Sequence, residues 1–247
     1  MGESYGFLAQ SYDELTADVD YRRWADYIEW HFARQGGAVE SVAELACGTG
    51  SLARLLAQRG YQVTAVDLSE DMLCVAQQKC ADLPVRFVHQ DMSRLTLAEP
   101  TDAVVCCLDS VNYVTKKGAL ARAFDRVYRY LKPGGLFLFD AKTPLALEEA
   151  DGQVYLDETE DLFCVWRGEY SPRRRVCGYG IDLFRRRADG AWERGGEYHE
   201  EYAYTPEELA GYLRRAGFAE IRQYGDKKKT VPRPDERRIF FAARKER

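Results

Sequence analysis

The 247 residues are 46% hydrophobic, enough for one large domain or a core domain with an insertion. No run of about 18 apolar residues occurs, so no membrane span is expected. The net charge of −5 weighs against nucleic acid as the main partner.

The N-terminal Met1-Gly2-Glu3-Ser4-Tyr5-Gly6 lacks the basic and apolar regions of a secretory signal, and Gly6 stands where an acylation motif wants Ser or Thr. The seven cysteines contain no C-x-x-C, and three histidines add little, so no zinc site is expected. The thiols read as reduced, cytoplasmic and mostly buried.

Residues 5–16, with Tyr5, Phe7, Tyr12 and Leu15, read as a short helical or irregular cap. Trp24, Tyr27, Ile28 and Phe32 recur at helical spacing and predict an amphipathic helix over 21–34, ended by Gly36-Gly37. Val42 to Gly50 is a short buried strand running into a glycine turn, and Leu52, Leu55 and Leu56 then line one face of a helix. A second strand spans 61–66 and ends at Asp67; Ser69 caps the following helix. Strands over 85–88 and 101–108 follow, the latter nearly all apolar, as expected when both faces are covered. A helix over 116–131 is stopped by Lys132-Pro133-Gly134-Gly135, and a fifth strand, 136–139, ends at Asp140. Strands alternating with helices predict an α/β, doubly wound, mostly parallel sheet.

From about 151 to 204 the pattern changes to period two. Val176–Phe184 and Ala191–Tyr204 read as strands joined by a hairpin loop at Ala188-Asp189-Gly190. The stretch 146–204 is therefore expected to be an antiparallel β insertion, serving as a substrate lid or as a surface that pairs two copies of the chain. Thr205-Pro206 opens a helix that stops at Gly217, and strands over 219–224 and 239–244 close the chain. The core is thus 1–145 with 205–247, of which 1–36 forms the helical cap.

Strand, glycine turn and helix is how a nucleotide cofactor is held at the carboxyl end of a parallel sheet. Glycines allow close backbone approach, and the helix N-terminus presents free N–H groups. Asp67, Asp91 and Asp109 stand at or just past three strand ends, which converge on the same crevice. Asp67 follows the turn where a carboxylate reaches ribose hydroxyls; Asp91 with Met92 falls beside an adenine; Asp109 falls near the reacting end. Gly48-Thr49-Gly50-Ser51-Leu52-Ala53 also satisfies a G-x-G-x-x-A dinucleotide fingerprint. Glu44 inside the first strand and the lack of a second mononucleotide half argue against a nicotinamide cofactor.

Glu44-Leu45-Ala46-Cys47-Gly48-Thr49-Gly50, Asp67-Leu68-Ser69, Gln90-Asp91-Met92 and Leu131-Lys132-Pro133-Gly134-Gly135 together resemble the class I S-adenosylmethionine-dependent methyltransferases. The resemblance implies a seven-stranded sheet whose last strand is antiparallel, with S-adenosyl-L-methionine as cofactor. It implies that Glu44 and the turn Ala46, Cys47, Gly48 and Gly50 hold the methionine part, and that Asp67 binds the ribose with Leu68 and Met72 packing near. Asp91 and Met92 would flank the adenine, and Leu108 and Asp109 would border the sulfonium. Tyr5, Tyr12, the stretch Cys107 to Tyr113 and the late insertion look closest to a small bacterial subgroup related to amino-sugar N,N-dimethyltransferases. Those relatives often carry Arg where this chain has Tyr202, which weighs against carrying their substrate over.

The expected acceptor is a small molecule methylated on N or O. Asp109 and His199 are candidate proton acceptors, with Tyr113 beside them; Tyr5, Tyr12, Trp24 and Tyr113 are candidate aromatic faces for a cationic group. The runs Arg173–Arg175, Arg185–Arg187 and Lys227–Lys229 leave a nucleotide-linked or nucleic-acid substrate as an alternative. A non-catalytic S-adenosylmethionine-binding protein is a further one. A thiolate mechanism through Cys106 or Cys107 is disfavoured inside an apolar strand.

Overall fold

A computed structural model describes residues 7–246. Seven strands form one sheet: β1 (Ser41–Leu45), β2 (Gln62–Asp67), β3 (Arg86–His89), β4 (Thr101–Cys106), β5 (Leu131–Lys142), β10 (Glu220–Gly225) and β11 (Arg238–Arg244). Their order is β10-β11-β5-β4-β1-β2-β3, and the five strands from β5 to β3 run parallel. β11 is antiparallel to both of its neighbours. The expected doubly wound sheet with an antiparallel last strand is thus present.

The central strands are apolar throughout because both faces are covered. On β4 and β5, Val104, Cys106, Phe137 and Phe139 enter one core with Leu120, Phe124 and Val127 of α5 (Ala119–Tyr130) and Leu209 and Leu213 of α7 (Pro206–Ala216). Ala103, Val105, Leu136 and Leu138 enter the other, with Trp24 and Ile28 of α2 (Tyr21–Phe32) and Leu52 and Leu56 of α3 (Ser51–Gln58). Successive side chains alternate between these cores, as the pleat requires.

Local signals set the helix ends. Ser69 Oγ accepts from the Met72 amide at the start of α4 (Glu70–Lys79). Thr205 and Glu208 form a reciprocal capping box on α7, and Gly217 ends it at φ 104°. The sequence boundary after α5 differs. The segment Leu131 to Gly135 continues as strand rather than forming a separate stop, with an irregular register opposite Thr101–Ala103.

The period-two region is a four-stranded antiparallel sheet, β6 (Val154–Glu158), β7 (Leu162–Ser171), β8 (Val176–Arg186) and β9 (Trp192–Tyr202), in that order. A short helix α6 (Pro144–Glu149), absent from the sequence reading, precedes it, with Thr143 as cap. Register places Ile181 opposite Glu197, Tyr179 opposite His199 and Cys177 opposite Glu201. Glu197, His199 and Glu201 therefore share one face of β9. The fully buried Asn112, in the 3₁₀ turn Ser110–Tyr113 after β4, joins the two sheets. Its amide donates to the Lys142 and Tyr202 carbonyls at 3.1 and 3.0 Å, and its oxygen accepts from the Lys142 amide at 3.0 Å.

Candidate active site

The turn after β1 is built on left-handed backbone: Ala46 at φ 54°, Gly48 at 54° and Gly50 at 77°. Ala46 is an L residue in a region that costs energy, so the turn is held from outside. Asp67 at the end of β2 does this. Its two oxygens accept the amides of Gly48 and Ser69, each at 2.8 Å. A Cβ on Gly50 would lie 3.0 Å from the Ala76 Cβ, which explains that glycine by packing. A Cβ on Gly48 would meet nothing within 4 Å, so the space beside that residue is open for a ligand. Cys47 is buried, and burial pushes its thiol up, as it does for Cys106 and Cys107.

Beneath the turn Glu44 is buried, and its Oε2 has no hydrogen-bond partner among the described residues. Burial, with the Asp67 charge added, pushes its carboxyl up to about 8. An orphaned acid under an open glycine turn fits the amino group of a methionine moiety, which would supply both a donor and a positive charge. Without ligand, the raised value makes the protonated form the folded one. The stability that this adds is complete below the unfolded value near 4.3 and is lost as pH rises through about 8. Glu44→Gln should therefore flatten the fall in melting temperature between pH 5 and 8.5, a difference of up to about 4 kcal/mol at the alkaline end. Parallel melts of the two proteins at both pH values check it.

The remaining cofactor candidates follow the ends of β2 and β3. Leu68 is 67% exposed at the crevice edge, an unusual position for a large apolar side chain, while Met72 is buried behind it. His89 Nε2 holds the Leu68 carbonyl at 2.7 Å. Asp91 accepts from the Ser93 amide at 2.7 Å, and Met92 packs against the core. From the cap, helix α1 (Tyr12–Leu15) lies across the turn. Asp13 Oδ1 accepts from Thr49 Oγ1 and from Lys79 Nζ, both at 2.6 Å. Burial raises the Tyr12 phenol, and Tyr21, Asp109 and Asp67 add to the effect. Tyr5 lies outside the described residues. Trp24 is core: its ring centroid is 5.3 Å from Phe240, with Lys227 Nζ 4.4 Å above it.

At the end of β4, Leu108 and Asp109 are both left-handed, at φ 60° and 52°. Two consecutive strained L residues need support, and Asp109 receives it on every polar atom. Its amide donates to Asp140 Oδ2 at 2.9 Å, Oδ1 accepts from Arg238 Nη2 at 2.7 Å, and Oδ2 pairs with Lys142 Nζ at 2.9 Å. Arg238 also donates to Asp140. Burial alone would raise Asp109, but the Arg238 and Lys142 charges outweigh it and hold the carboxyl well below the usual range. A carboxylate of such low basicity, with both oxygens engaged, is a poor proton acceptor. In this arrangement Asp109 braces the strained strand end.

Lys142 carries its charge to a second acid, Glu201, whose Oε1 accepts at 2.9 Å. Burial pushes Glu201 up to about 7 and Lys142 only partly reverses this, because one ammonium is shared between two carboxylates. His199 is buried, with Nε2 2.7 Å from Glu197 Oε2. Its ring stands edge-on to Tyr113 at 5.9 Å. The second sheet thus brings His199 to Tyr113 and Glu201 to Lys142 and Asp109, while Asp67, Asp91 and Glu44 stay at the other end of the crevice. Sequence reasoning missed Glu201, Lys142 and Arg238. The strand phase of 197, 199 and 201 was readable, but not which element that face would meet.

Two surface clefts flank this site without filling it. One, of about 440 Å³, has Lys142 and Arg238 in its wall with Lys228 and Glu236. The other, of about 500 Å³, lies under the cap between Asp13 and Lys79. Neither contains Asp67 or Asp109, and the hydrogen-bonded groups, not the clefts, locate the chemistry.

Comparison with known proteins agrees with this geometry. Residues 42–135 match the family described as Methyltransferase domain. YqeM of Bacillus subtilis (strain 168), a chain classed with the methyltransferases, is 34% identical over 244 residues, covering 98% of this chain and 97% of that one. A crystal structure of an S-adenosylmethionine-dependent methyltransferase from Clostridium acetobutylicum ATCC 824 superposes with a TM-score of 0.88 at 28% identity, over 99% of this chain and 100% of that one. The sugar N-methyltransferase KedS8 from Streptoalloteichus sp ATCC 53650 shares the fold, with a TM-score of 0.80 at 22% identity over 100% and 94% of the two chains. The chain belongs to the S-adenosylmethionine-dependent methyltransferases, and its cofactor is S-adenosyl-L-methionine.

Proposed function

We propose that this enzyme methylates a nitrogen or oxygen of a small molecule held between the ends of β4 and β5 and the inner face of the second sheet. One observation carries the reading. Tyr179, His199 and Glu201 are buried on the inner face of the second sheet; Lys142 ties Glu201 to Asp109 and the His199 ring meets Tyr113, so the polar groups at the end of β4 are covered by that sheet and not open to the surface. A strand of nucleic acid needs an open basic channel. The basic runs do not form one, since most of their members pair with nearby acids. Arg174 meets Glu200, Arg175 meets Glu208, Arg187 meets Asp189, Lys227 meets Asp226 and Lys228 meets Glu236.

In this reading Asp67 takes the ribose hydroxyls, Asp91, Met92, Leu68 and Met72 surround the adenine, and Glu44 with Ala46, Cys47, Gly48 and Gly50 holds the methionine end. Leu108 and Asp109 border the transfer point, with Tyr12 and Tyr113 offering ring faces beside it. The cofactor, when bound, supplies a methyl group on a sulfonium already activated for in-line transfer. The chain's own part is to orient the acceptor, exclude water and receive a proton where the acceptor must lose one.

The test is transfer of labelled methyl from S-adenosylmethionine in a cell extract separated into small molecules, RNA and protein. Label should enter the small-molecule fraction. Label confined to RNA or protein, or no transfer by a protein that binds the cofactor, overturns the reading.

A further inference from the structure

Within the fold, Lys142 and Tyr113 are the groups that hydrogen-bond to the Glu201 carboxylate, and they leave one of its oxygens over. Glu201 is 1% exposed, Oε1 is held by Lys142, and Oε2 has no hydrogen-bond partner among the described residues. A buried carboxylate oxygen without a donor is costly and rare in native proteins, and at a candidate active site it marks a place for a ligand's donor.

Charge count gives that ligand a sign. Three buried carboxylates, Asp109, Asp140 and Glu201, share two cations, Arg238 and Lys142. The cluster is one positive charge short when all five groups are ionised. Among the described residues, the groups that face Glu201 do not make up the deficit. Lys142 comes from β5, Asp109 from the end of β4, Tyr113 from the turn after it, and Cys177 and Tyr179 from β8. His199, on the same face of β9, is turned to Glu197. Two tyrosines stand beside its neighbours: the Tyr179 ring lies 5.3 Å from Lys142 Nζ, and Tyr113 stands against His199. A buried carboxylate oxygen lacking a donor, a missing positive charge and nearby tyrosine rings together suit an ammonium.

Resting on the small-molecule reading above, we infer that Glu201 binds the acceptor as an amine, accepting an N–H of its ammonium at Oε2 and removing that proton. The N–H bond breaks, its electron pair stays on nitrogen, and the proton goes to the carboxylate. The freed pair then forms the N–C bond to the transferred methyl, while the pair of the breaking C–S bond returns to the donor's sulfur. Glu201 gives its proton to water on product release. Burial supports the assignment, because it raises this acid into the range of a base useful near neutral pH.

Two measurements on wild type and Glu201→Gln test it. The first is thermal stabilisation at pH 8 by a panel of primary amines from n-propylamine to glucosamine, against 1-propanol, glucose and butyrate. Amines should stabilise wild type more than their neutral partners, and the margin should vanish in Glu201→Gln. The second is the pH profile of kcat/KM for an amine that accepts labelled methyl. Wild type should show an acidic limb near pH 7. Glu201→Gln should lose that limb and fall about 10²-fold or more in kcat, with S-adenosylmethionine binding unchanged. Stabilisation by alcohols or acids alone, no response to any amine, or an unaltered Glu201→Gln profile overturns the inference. Methyl transfer to a hydroxyl acceptor overturns it while leaving the small-molecule reading intact. Label found only in macromolecules fails both.

Discussion

Arg238→Met should be among the most destabilising single substitutions in the chain, lowering the melting midpoint at pH 8 by roughly 10 °C. The guanidinium bridges Asp109 and Asp140, and Asp140 is fully buried. Removing one partner of a buried charged pair costs about 3–5 kcal/mol, because the other charge stays buried and uncompensated. In a chain of this size each kcal/mol is worth about 2–4 °C. The pH dependence identifies the cause. Burial already raises Asp140, and Arg238 is the chief group that lowers it again. In the variant Asp140 and Asp109 would both sit above their unfolded values. A raised acid contributes stability below its unfolded value and loses it as pH rises through the folded one. The gap between variant and wild type should therefore narrow on going from pH 8 to pH 5. Adding Asp140→Asn should recover part of the loss at pH 8. Arg237→Met, which removes an exposed bidentate partner of Glu149, should change little and serves as the control. Equal losses at both pH values would mean that Arg238 acts by packing on Trp24, not by charge.

That network shows where sequence reasoning stops. Signals within about twenty residues were legible. The buried strand, the glycine turn and the acid after the second strand form the unit proposed to hold the cofactor, and they could be read because a parallel strand, its turn and its helix are contiguous in the chain. The capping residues Ser69 and Thr205 act within three residues and were equally readable. At the acceptor end the partners are far apart. Arg238 meets Asp109 across 129 positions and Lys142 meets Glu201 across 59. Asp109 was visible as an acid at a strand end, but its basicity is set by two cations that no local pattern places beside it. The insertion shows the same limit in another form. Its alternation announces strands, yet period two says only that 197, 199 and 201 point one way. It does not say that the face they make covers the end of β4. Helix α6 was missed because its single buried turn, Leu147 against the second sheet, is too short to show a period.

Asp67→Ala should abolish measurable binding of S-adenosylmethionine and S-adenosylhomocysteine, and this loss should exceed any change in the unliganded protein. Wild type at about 100 times Kd gains roughly 2.7 kcal/mol, or about 5–10 °C in midpoint for this chain length. NAD should give no shift in either protein. The expected loss has two parts, because Asp67 has two tasks. Its oxygens hold the Gly48 and Ser69 amides, and so keep the turn in its left-handed path. A carboxylate oxygen can accept more than one hydrogen bond, so Asp67 keeps capacity for the ribose proposed to lie in the crevice. Asp67→Asn separates the tasks. The amide keeps one acceptor for one of the two backbone donors, but its NH₂ opposes the other, so the turn is half supported and a hydroxyl loses a charged acceptor. Its unliganded melting temperature should lie between those of wild type and Asp67→Ala, while its cofactor affinity should fall close to that of Asp67→Ala. The order matters because a carboxylate that only braced the turn would give affinity losses tracking the stability losses. A carboxylate that also binds ribose makes affinity fall first, since charge-assisted hydrogen bonds are roughly twice as strong as neutral ones.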